Sequence, residues 1–155
     1  RIMPNTPSKV FAGMNLIYFD DSFTTSNKKN LIELFLACGE VEIVDQENLI
    51  DLLTPYTGSL PGIIFELASY IEHSLLKQGI KGLDAKKLIG QTFYGSSKLM
   101  LESSEDFKSL CNQVTSKKGV TLAALESIRE DKIESKIEKA FDKALSRIEE
   151  IKRGI

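Results

Sequence analysis

The sequence predicts a mainly α-helical protein, in which a few strands and one helix come before a bundle of helices. Three observations support this fold class. Strand patterns occur only up to Asp45, the chain beyond that residue carries helical patterns throughout, and Ile133–Ile151 repeats apolar residues every three and four positions. With 155 residues, the chain is long enough for one well-buried domain and short for two.

The strands and the first helix lie within residues 1–45. Leu16–Phe19 is a compact apolar strand, and residues 40–45 (EVEIVD) alternate as a half-buried strand does. Between them we expect a helix that is capped by Ser26, runs to Cys38 and is ended by Gly39.

The chain opens on a proline-rich segment. The two prolines of Met3–Pro7 exclude a helix and favour an extended turn. Arg1 is not an initiator methionine and already belongs to a strand pattern, so we expect a preceding segment. Three short strands make a poor sheet by themselves, and residues 1–45 are therefore expected to be the edge of a larger sheet.

From residue 46 onward, only helices are predicted. Pro55 halts the first, Glu47–Leu53, and residues 58–61 (GSLP) form a turn with a cap residue. The next helix is expected to end at about Lys77, and the one after it to run from Asp84 to about Ser103. Three more helices are expected at Glu105–Gln113, Leu122–Glu130 and Ile133–Ile151.

Two of these helices have wider apolar faces than one small domain can cover. The helix of Ile63–Leu76 is apolar on most sides, which places it either inside a bundle or between subunits. Ile133–Ile151 carries one continuous apolar stripe. We therefore expect the protein to form a homodimer, with assembly beyond the dimer left open.

The polar loop Val114–Thr121 (VTSKKGVT) leads directly into an apolar-patterned helix. A glycine and free backbone N–H groups just before a helix form a seat for a small anion. We therefore expect this loop to bind the carboxylate of a small substrate. Thr115 and Ser116 are also candidates for a structural role, because either hydroxyl could cap the helix that follows.

Composition excludes several classes of protein. A net charge of −2 argues against nucleic acid as the main partner, because no positive excess exists to displace counterions. No apolar run is long enough to span a membrane, and no secretory signal opens the chain. Cys38 and Cys111 lack metal-ligand spacing, so we predict no metal site and a reduced, cytoplasmic protein.

Three segments together resemble a known family. Arg1–Pro7 (RIMPNTP) is similar to the motif R-V-M-P-N-T-P, and Thr54–Gly62 (TPYTGSLPG) is similar to T-x-x-S-G-S-G-P-A. Leu110–Leu122 (LCNQVTSKKGVTL) resembles L-x-x-x-V-[TSC]-S-P-G-G-x-T-I. With matching spacing over the whole chain, these motifs resemble the carboxyl-terminal portion of pyrroline-5-carboxylate reductase, the last enzyme of proline synthesis.

The resemblance implies a two-domain subunit. Residues 1–45 would be the C-terminal edge of a Rossmann domain for NADPH or NADH, and residues 46–155 an all-helical dimerisation and substrate-binding domain. The implied reaction is hydride transfer to the C=N carbon of 1-pyrroline-5-carboxylate, which gives L-proline. By itself this chain is expected to be inactive, because the coenzyme fold would lie outside it.

Site residues follow from the matched motifs. Thr54 and Thr121 would be catalytic, acting at the substrate nitrogen, and Met3, Pro4 and Asn5 would lie near the nicotinamide. Ser116, Gly119, Val120 and Thr121 would offer backbone N–H groups to the substrate carboxylate. Lys117 and Lys118 replace the Pro-Gly of the family and would either add charge toward that carboxylate or mark a divergent pocket.

Two alternatives stay open at this point. Lys117-Lys118 and Leu60, which stands where the family has glycine, fit a catalytically lapsed relative that serves as a helical dimerisation module. A related imine or β-hydroxyacid reductase with another acid substrate is the other alternative. His73 and Cys111 are not expected to take part in catalysis.

Overall fold

The computed structural model describes residues 1–80 and 82–154. Contacts within the chain divide it into two compact units, Arg1–Phe65 together with Lys139–Ile155, and Glu66–Glu138. This division groups residues that touch one another. The predicted domain boundary between residues 45 and 46, which separates two kinds of fold, stays a prediction.

The mainly α-helical fold class, with strands and a helix at the start, is confirmed. The strands are β1 (Ile2–Met3), β2 (Gly13–Tyr18) and β3 (Gly39–Val44). The helices are α1 (Thr25–Leu36), α2 (Glu47–Thr54), α3 (Leu60–Leu76), α4 (Ala85–Glu102), α5 (Phe107–Gln113), α6 (Val120–Glu130) and α7 (Ile133–Lys152). In the sheet, β2 lies between β1, to which it is antiparallel, and β3, to which it is parallel.

Helix α1 crosses between the parallel strands β2 and β3, as a parallel connection requires. Its cap is Thr24, whose Oγ1 accepts a hydrogen bond from the N–H of Asn27 at 3.3 Å. The predicted cap at Ser26 is therefore wrong by two residues. The helix ends at Leu36, and Gly39 opens β3 instead of ending α1.

The core of the first unit lies where α2 packs on the sheet. It contains the buried side chains of Leu16 on β2, Val44 on β3 and Ile50 on α2. Partly buried neighbours complete it, namely Met3, Tyr18, Leu49 and Leu53. Strand and helix residues that the sequence pattern marked as apolar thus meet in one cluster.

The proline predictions near the chain start and after α2 are correct only in part. Met3 and Asn5 are extended and α2 ends at Thr54, but helical turns of other kinds follow. Thr6–Val10 forms a 3-10 helix that contains Pro7 in its first turn, where a missing N–H costs nothing. Helical structure continues past Pro55, because Pro55–Ser59 is a π-helical turn that joins α2 to α3. The predicted turn at residues 58–61 is therefore helical. Proline cannot donate the usual hydrogen bond, and a wider turn accommodates that loss.

Helices α4 and α5 of the second unit begin at side-chain caps. Asp84 caps α4 through the N–H of Lys87 at 2.9 Å, as predicted, and Asp106 caps α5, which starts two residues later than predicted. Gly79 and Gly82 have positive φ on either side of the predicted turn; Lys81, between them, lies outside the described residues. Helix α6 begins at Val120, two residues earlier than predicted.

Much of the apolar surface of α3 and α4 is exposed in the single chain. Exposed apolar side chains include Phe65 (61% exposed), Leu67, Tyr70, Ile71 and Leu76 on α3, and Leu88, Tyr94, Leu99 and Leu101 on α4. Placement of α3 inside a bundle of one chain is therefore wrong, and burial between subunits is the alternative that remains. No helix within residues 1–80 and 82–154 is long and apolar enough to cross a membrane.

Candidate functional site

The first group of predicted site residues meets where the segment that follows β1 contacts the π-helical turn. Gly58, in that turn, lies between Thr54 and Met3: a Cβ on it would stand 3.5 Å from Thr54 Cγ2 and 3.8 Å from Met3 Sδ. Asn5 reaches the same turn, because its Nδ2 donates to the carbonyl of Thr57 at 3.1 Å. The structure thus brings Met3, Asn5 and Thr54 together.

Asn5 is held from two sides. Its Oδ1 accepts the N–H of Met14 at 3.0 Å while its Nδ2 binds the carbonyl of Thr57. One amide therefore joins the segment after β1, the start of β2 and the π-helical turn. One Nδ2–H remains beyond these two bonds, since a side-chain amide has two.

The hydroxyl of Thr54 is already committed as a donor. Its Oγ1 donates to the carbonyl of Ile50 at 2.6 Å, one turn back on α2. A hydroxyl that has given its hydrogen to a carbonyl still has lone pairs that accept. In this arrangement Thr54 is suited to accept a hydrogen bond from a protonated nitrogen, and less suited to donate a proton to one.

The second group lies in the loop between α5 and α6, which contains a four-residue turn. The N–H of Gly119 donates to the carbonyl of Ser116 at 3.0 Å, and Lys118 has a φ of 61°. A positive φ at the third position alone is the mark of a type II turn, in which proline is favoured second and glycine third. Lys117 and Lys118 occupy those two places, so the turn is formed without its preferred residues.

Gly119 is the residue before the first turn of α6, and it has no side chain that could cap the helix. The leading N–H groups of α6, those of Val120 and Thr121, are therefore open to a ligand. A Cβ on Gly119 would stand 3.0 Å from the carbonyl of Ser116 and closer still to its Oγ, so a larger residue here would displace the side chain of Ser116. The side chain of Thr121 is exposed beside these groups.

The capping role considered for Thr115 and Ser116 is wrong. The Oγ1 of Thr115 donates back to the carbonyl of Cys111 at 2.6 Å, at the end of α5. No side chain caps α6, whose cap position is Gly119. Ser116 instead serves the turn through its carbonyl, and its side chain lies against Gly119.

The two groups belong to different units of the chain. Met3, Asn5 and Thr54 are in the first unit, and Ser116–Thr121 is in the second. The structure assembles each group by itself. Pro4 is exposed between Met3 and Asn5, and Lys117 and Lys118 are exposed on the turn.

Sequence reasoning missed Asp51, a carboxylate on α2 that is only 7% exposed. Its Oδ2 lies 2.7 Å from Lys152 Nζ, at the end of α7, and both oxygens accept hydrogen bonds from the guanidinium of Arg1. The sequence signal is a single acidic residue within the apolar pattern of α2. Its partners are far away along the chain, so no local pattern could identify them.

The arginine and lysine partners set the charge of Asp51. Hydrogen bonds from Arg1, and more weakly from Lys152, hold the pKa of the Asp51 carboxyl below its ordinary value, although burial raises it. The same contact with Asp51 raises the pKa of Lys152 above its ordinary value. The carboxylate is thus ionised wherever the protein is folded near neutral pH.

The lowered pKa predicts a loss of stability in acid. The unfolded aspartate has a pKa of about 3.9, so above that pH the ionised Asp51 stabilises the fold in full, and the benefit disappears as pH falls through the lower folded pKa. The free energy of unfolding of the wild-type protein, measured with urea, should therefore decrease as the pH is lowered below about 3.9. Asp51→Asn should give a shallower decline, and an equal slope in the two proteins would contradict this assignment.

The fold defines a class of protein: a mainly helical chain that begins with a small α/β segment and has large exposed apolar faces on its helices. A family model described as pyrroline-5-carboxylate reductase dimerisation matches residues 47–151, more than half of the chain. The chain belongs to the pyrroline-5-carboxylate reductase family, in which it corresponds to the helical dimerisation portion. The family predicted from the three motifs is confirmed.

Individual relatives of the chain belong to the same family. A pyrroline-5-carboxylate reductase of Vibrio alginolyticus is 30% identical over 99% of this chain and 57% of its own length. The solved structure of the enzyme from Coxiella burnetii is 28% identical, with a TM-score of 0.90 over 97% of this chain and 56% of that one. The Plasmodium falciparum enzyme, solved with NADP bound, has the same fold at 22% identity, with a TM-score of 0.86 over 95% of this chain and 60% of that one. The chain spans about half the length of the relatives it matches.

Proposed function

We propose that the intact protein is an NADPH- or NADH-dependent reductase that converts 1-pyrroline-5-carboxylate to L-proline, and that this chain supplies substrate-carboxylate binding and dimerisation. The observation that carries the proposal is the Ser116–Gly119 turn. It keeps the type II geometry that the family's Pro-Gly pair would favour, although neither residue is present. This geometry before α6 supports a role for the loop in binding the substrate carboxylate.

The substrate carboxylate would bind at the start of α6. Backbone N–H groups of Val120 and Thr121, together with the positive end of the helix dipole, suit one carboxylate. Lys117 and Lys118 are exposed on the adjacent turn and would add attraction of about 1 kcal/mol each if partly desolvated.

Thr54 is the proposed partner of the substrate nitrogen. When the C=N carbon accepts hydride, a protonated nitrogen becomes an amine, so a neighbouring oxygen must accept a hydrogen bond from its N–H. The Oγ1 of Thr54 can accept that hydrogen bond, because its own hydrogen is directed to Ile50. In the loop before α6, the hydroxyl of Thr121 is the other proposed catalytic group, and it is exposed beside the N–H groups that would bind the carboxylate.

The coenzyme would supply the hydride from its nicotinamide ring. Met3, Pro4 and Asn5 are the residues of this chain that would meet the nicotinamide end. Asn5 suits this place because its two hydrogen bonds fix the backbone around it and leave one Nδ2–H available.

The exposed apolar faces of α3 and α4 would be covered by a second subunit. Side chains such as Tyr94 (63% exposed) and Leu101 (87% exposed) are unusually open for a monomer. Sedimentation of the intact protein should give a dimer or a larger oligomer at micromolar concentration. A monomer that persists on concentration would contradict this part of the proposal.

The activity is tested directly with the intact protein. Oxidation of NADPH or NADH should accelerate when 1-pyrroline-5-carboxylate is added, and L-proline should accumulate in equal amount. Reduction of six-membered cyclic imines, or oxidation of β-hydroxy acids with NADP+ or NAD+, in its place would favour the related reductase. Background rates with both coenzymes would overturn the proposed function.

Lys118 allows a test of the lapsed-relative alternative. A lysine in the left-handed region costs about 1 kcal/mol relative to glycine, so Lys118→Gly should stabilise the protein by roughly 0.5–1 kcal/mol in urea unfolding. Lys132, with a φ of 53° between α6 and α7, is the matched control: Lys132→Gly should stabilise similarly without affecting ligands.

Binding of L-proline then separates the two views. The turn is already formed, so the variant with Lys117→Pro and Lys118→Gly should bind L-proline within about thirtyfold of wild type, the loss expected when two charges worth about 1 kcal/mol each are removed. A wild-type protein that binds no L-proline, together with a variant that does, would favour the lapsed relative.

A further inference from the structure

The buried Asp51 joins three separate pieces of the first unit. It lies on α2 three residues before Thr54, Arg1 lies two residues before Met3, and Lys152 ends α7. Arg1 also forms a weaker pair with Glu47 at 3.7 Å, so its guanidinium is held over the start of α2. Ion pairs such as Lys29–Glu33, by contrast, join exposed residues one turn apart on a single helix.

Stability alone gives little reason for a buried carboxylate here. A well-packed apolar residue is often equally stabilising in such a place, because desolvation offsets much of the attraction between buried charges. A guanidinium that contacts both oxygens of one carboxylate does something an apolar contact cannot: it fixes the orientation of the two groups. The Asp51–Arg1 contact therefore sets how β1 lies against α2.

We propose that Asp51 is a positioning residue of the reductase site: together with Arg1 and Lys152, it fixes the spacing between the Met3–Asn5 segment and Thr54. This inference rests on the proposed function, in which those two parts face the nicotinamide and the substrate nitrogen. Asp51 is buried and acts through its neighbours. Lys152 binds the same carboxylate, so the end of α7 is also tied to α2.

The expected consequence is a defect in the hydride-transfer step, with substrate capture preserved. A misplacement of about 1 Å between reacting groups costs up to about a hundredfold in rate. The substrate carboxylate would be held by residues 116–121, which belong to the other unit. Loss of the Asp51 charge should therefore lower kcat while the KM for substrate stays nearly constant.

The experiment compares variants of the intact protein at a temperature where all are folded. Asp51→Asn removes the negative charge, and Arg1→Gln removes the guanidinium. Arg1→Lys keeps the positive charge but cannot contact both carboxylate oxygens as a guanidinium does. Glu33→Gln, which breaks an exposed ion pair, is the matched control. Rates are measured with ordinary coenzyme and with coenzyme deuterated at the transferred position. Arg1, itself partly exposed, provides a second variant should Asp51→Asn fold poorly.

Asp51→Asn and Arg1→Gln should each lower kcat about tenfold or more and increase the isotope effect on kcat, because hydride transfer becomes slower than the other steps. Arg1→Lys should recover part of the loss. If both variants match Glu33→Gln in kcat and isotope effect, and differ only in melting temperature, Asp51 is structural and the positioning role is overturned. A wild-type protein without turnover would instead overturn the proposed function, and the positioning role with it.

Discussion

Replacement of Thr121 by valine in the intact protein is expected to lower kcat for 1-pyrroline-5-carboxylate about a hundredfold. Valine keeps the volume and the β-branch of threonine, so α6 should be undisturbed. The variant loses only the hydroxyl, which lies exposed in the first turn of α6 beside the open N–H groups of that turn. Because the backbone N–H of residue 121 is kept, binding of the substrate carboxylate should change little, and the KM should be nearly constant.

The matched control for this variant is in the same loop. Thr115 has a hydroxyl of the same kind, but it donates to the carbonyl of Cys111 at 2.6 Å. Thr115→Val should therefore cost about 1 kcal/mol of stability and leave kcat unchanged. Steady-state kinetics and urea unfolding of both variants give the answer. Equal kcat values for Thr121→Val and the wild type would exclude Thr121 from the chemistry.

The sequence could predict the elements whose signals are local. Helix α7 and the Asp84 cap of α4 follow from apolar spacing and from one carboxylate before a helix, and both are where they were expected. The loop before α6 was also predicted, since a glycine before an apolar pattern marks a helix start. Its internal turn was not, because Lys117-Lys118 contains neither of the residues by which a type II turn is recognised.

The errors arise where a residue has two tolerated roles. Proline usually predicts the end of a helix, yet Pro55 begins a π-helical turn that leads into α3 without a break. The hydroxyl of Thr54 donates to the carbonyl of Ile50 within α2 at 2.6 Å, and that of Thr57, in the π-helical turn, donates to the carbonyl of Leu53 at 3.1 Å. Such compensation depends on the three-dimensional neighbourhood, which composition and spacing do not encode.

Partners distant along the chain were equally hidden. Asp51 meets Arg1 and Lys152 only because the sheet and α7 bring the two ends of the chain to α2. The burial of Asn15 is similar: its Nδ2 donates to the carbonyl of Glu40 at 3.0 Å, across from β2 to β3. A candidate site predicted from motifs therefore contains the groups proposed to face a ligand and lacks Asp51, whose partners are distant along the chain.

The largest effect on stability is expected at the paired glycines of β2 and β3. Gly39 lies opposite Gly13 in the parallel pairing, and a Cβ on Gly39 would stand 2.1 Å from the carbonyl oxygen of Gly13 and 2.3 Å from its nitrogen. Both atoms belong to the backbone, so no side-chain rotation can relieve the clash. The φ of Gly39, +143°, is also one that other residues rarely adopt.

Gly39→Ala should therefore separate the start of β3 from β2 and lower the free energy of unfolding by about 3 kcal/mol, a shift of about 10 °C in Tm. Gly62 is the control, because nothing lies within 4 Å of a Cβ placed there and the residue is inside α3. Gly62→Ala should stabilise the protein by about 0.5–1 kcal/mol through helix propensity. Changes of opposite sign in the free energy of unfolding for Gly39→Ala and Gly62→Ala would locate the effect in the contact with Gly13. A Gly39→Ala protein as stable as wild type would show that the two strands do not approach so closely.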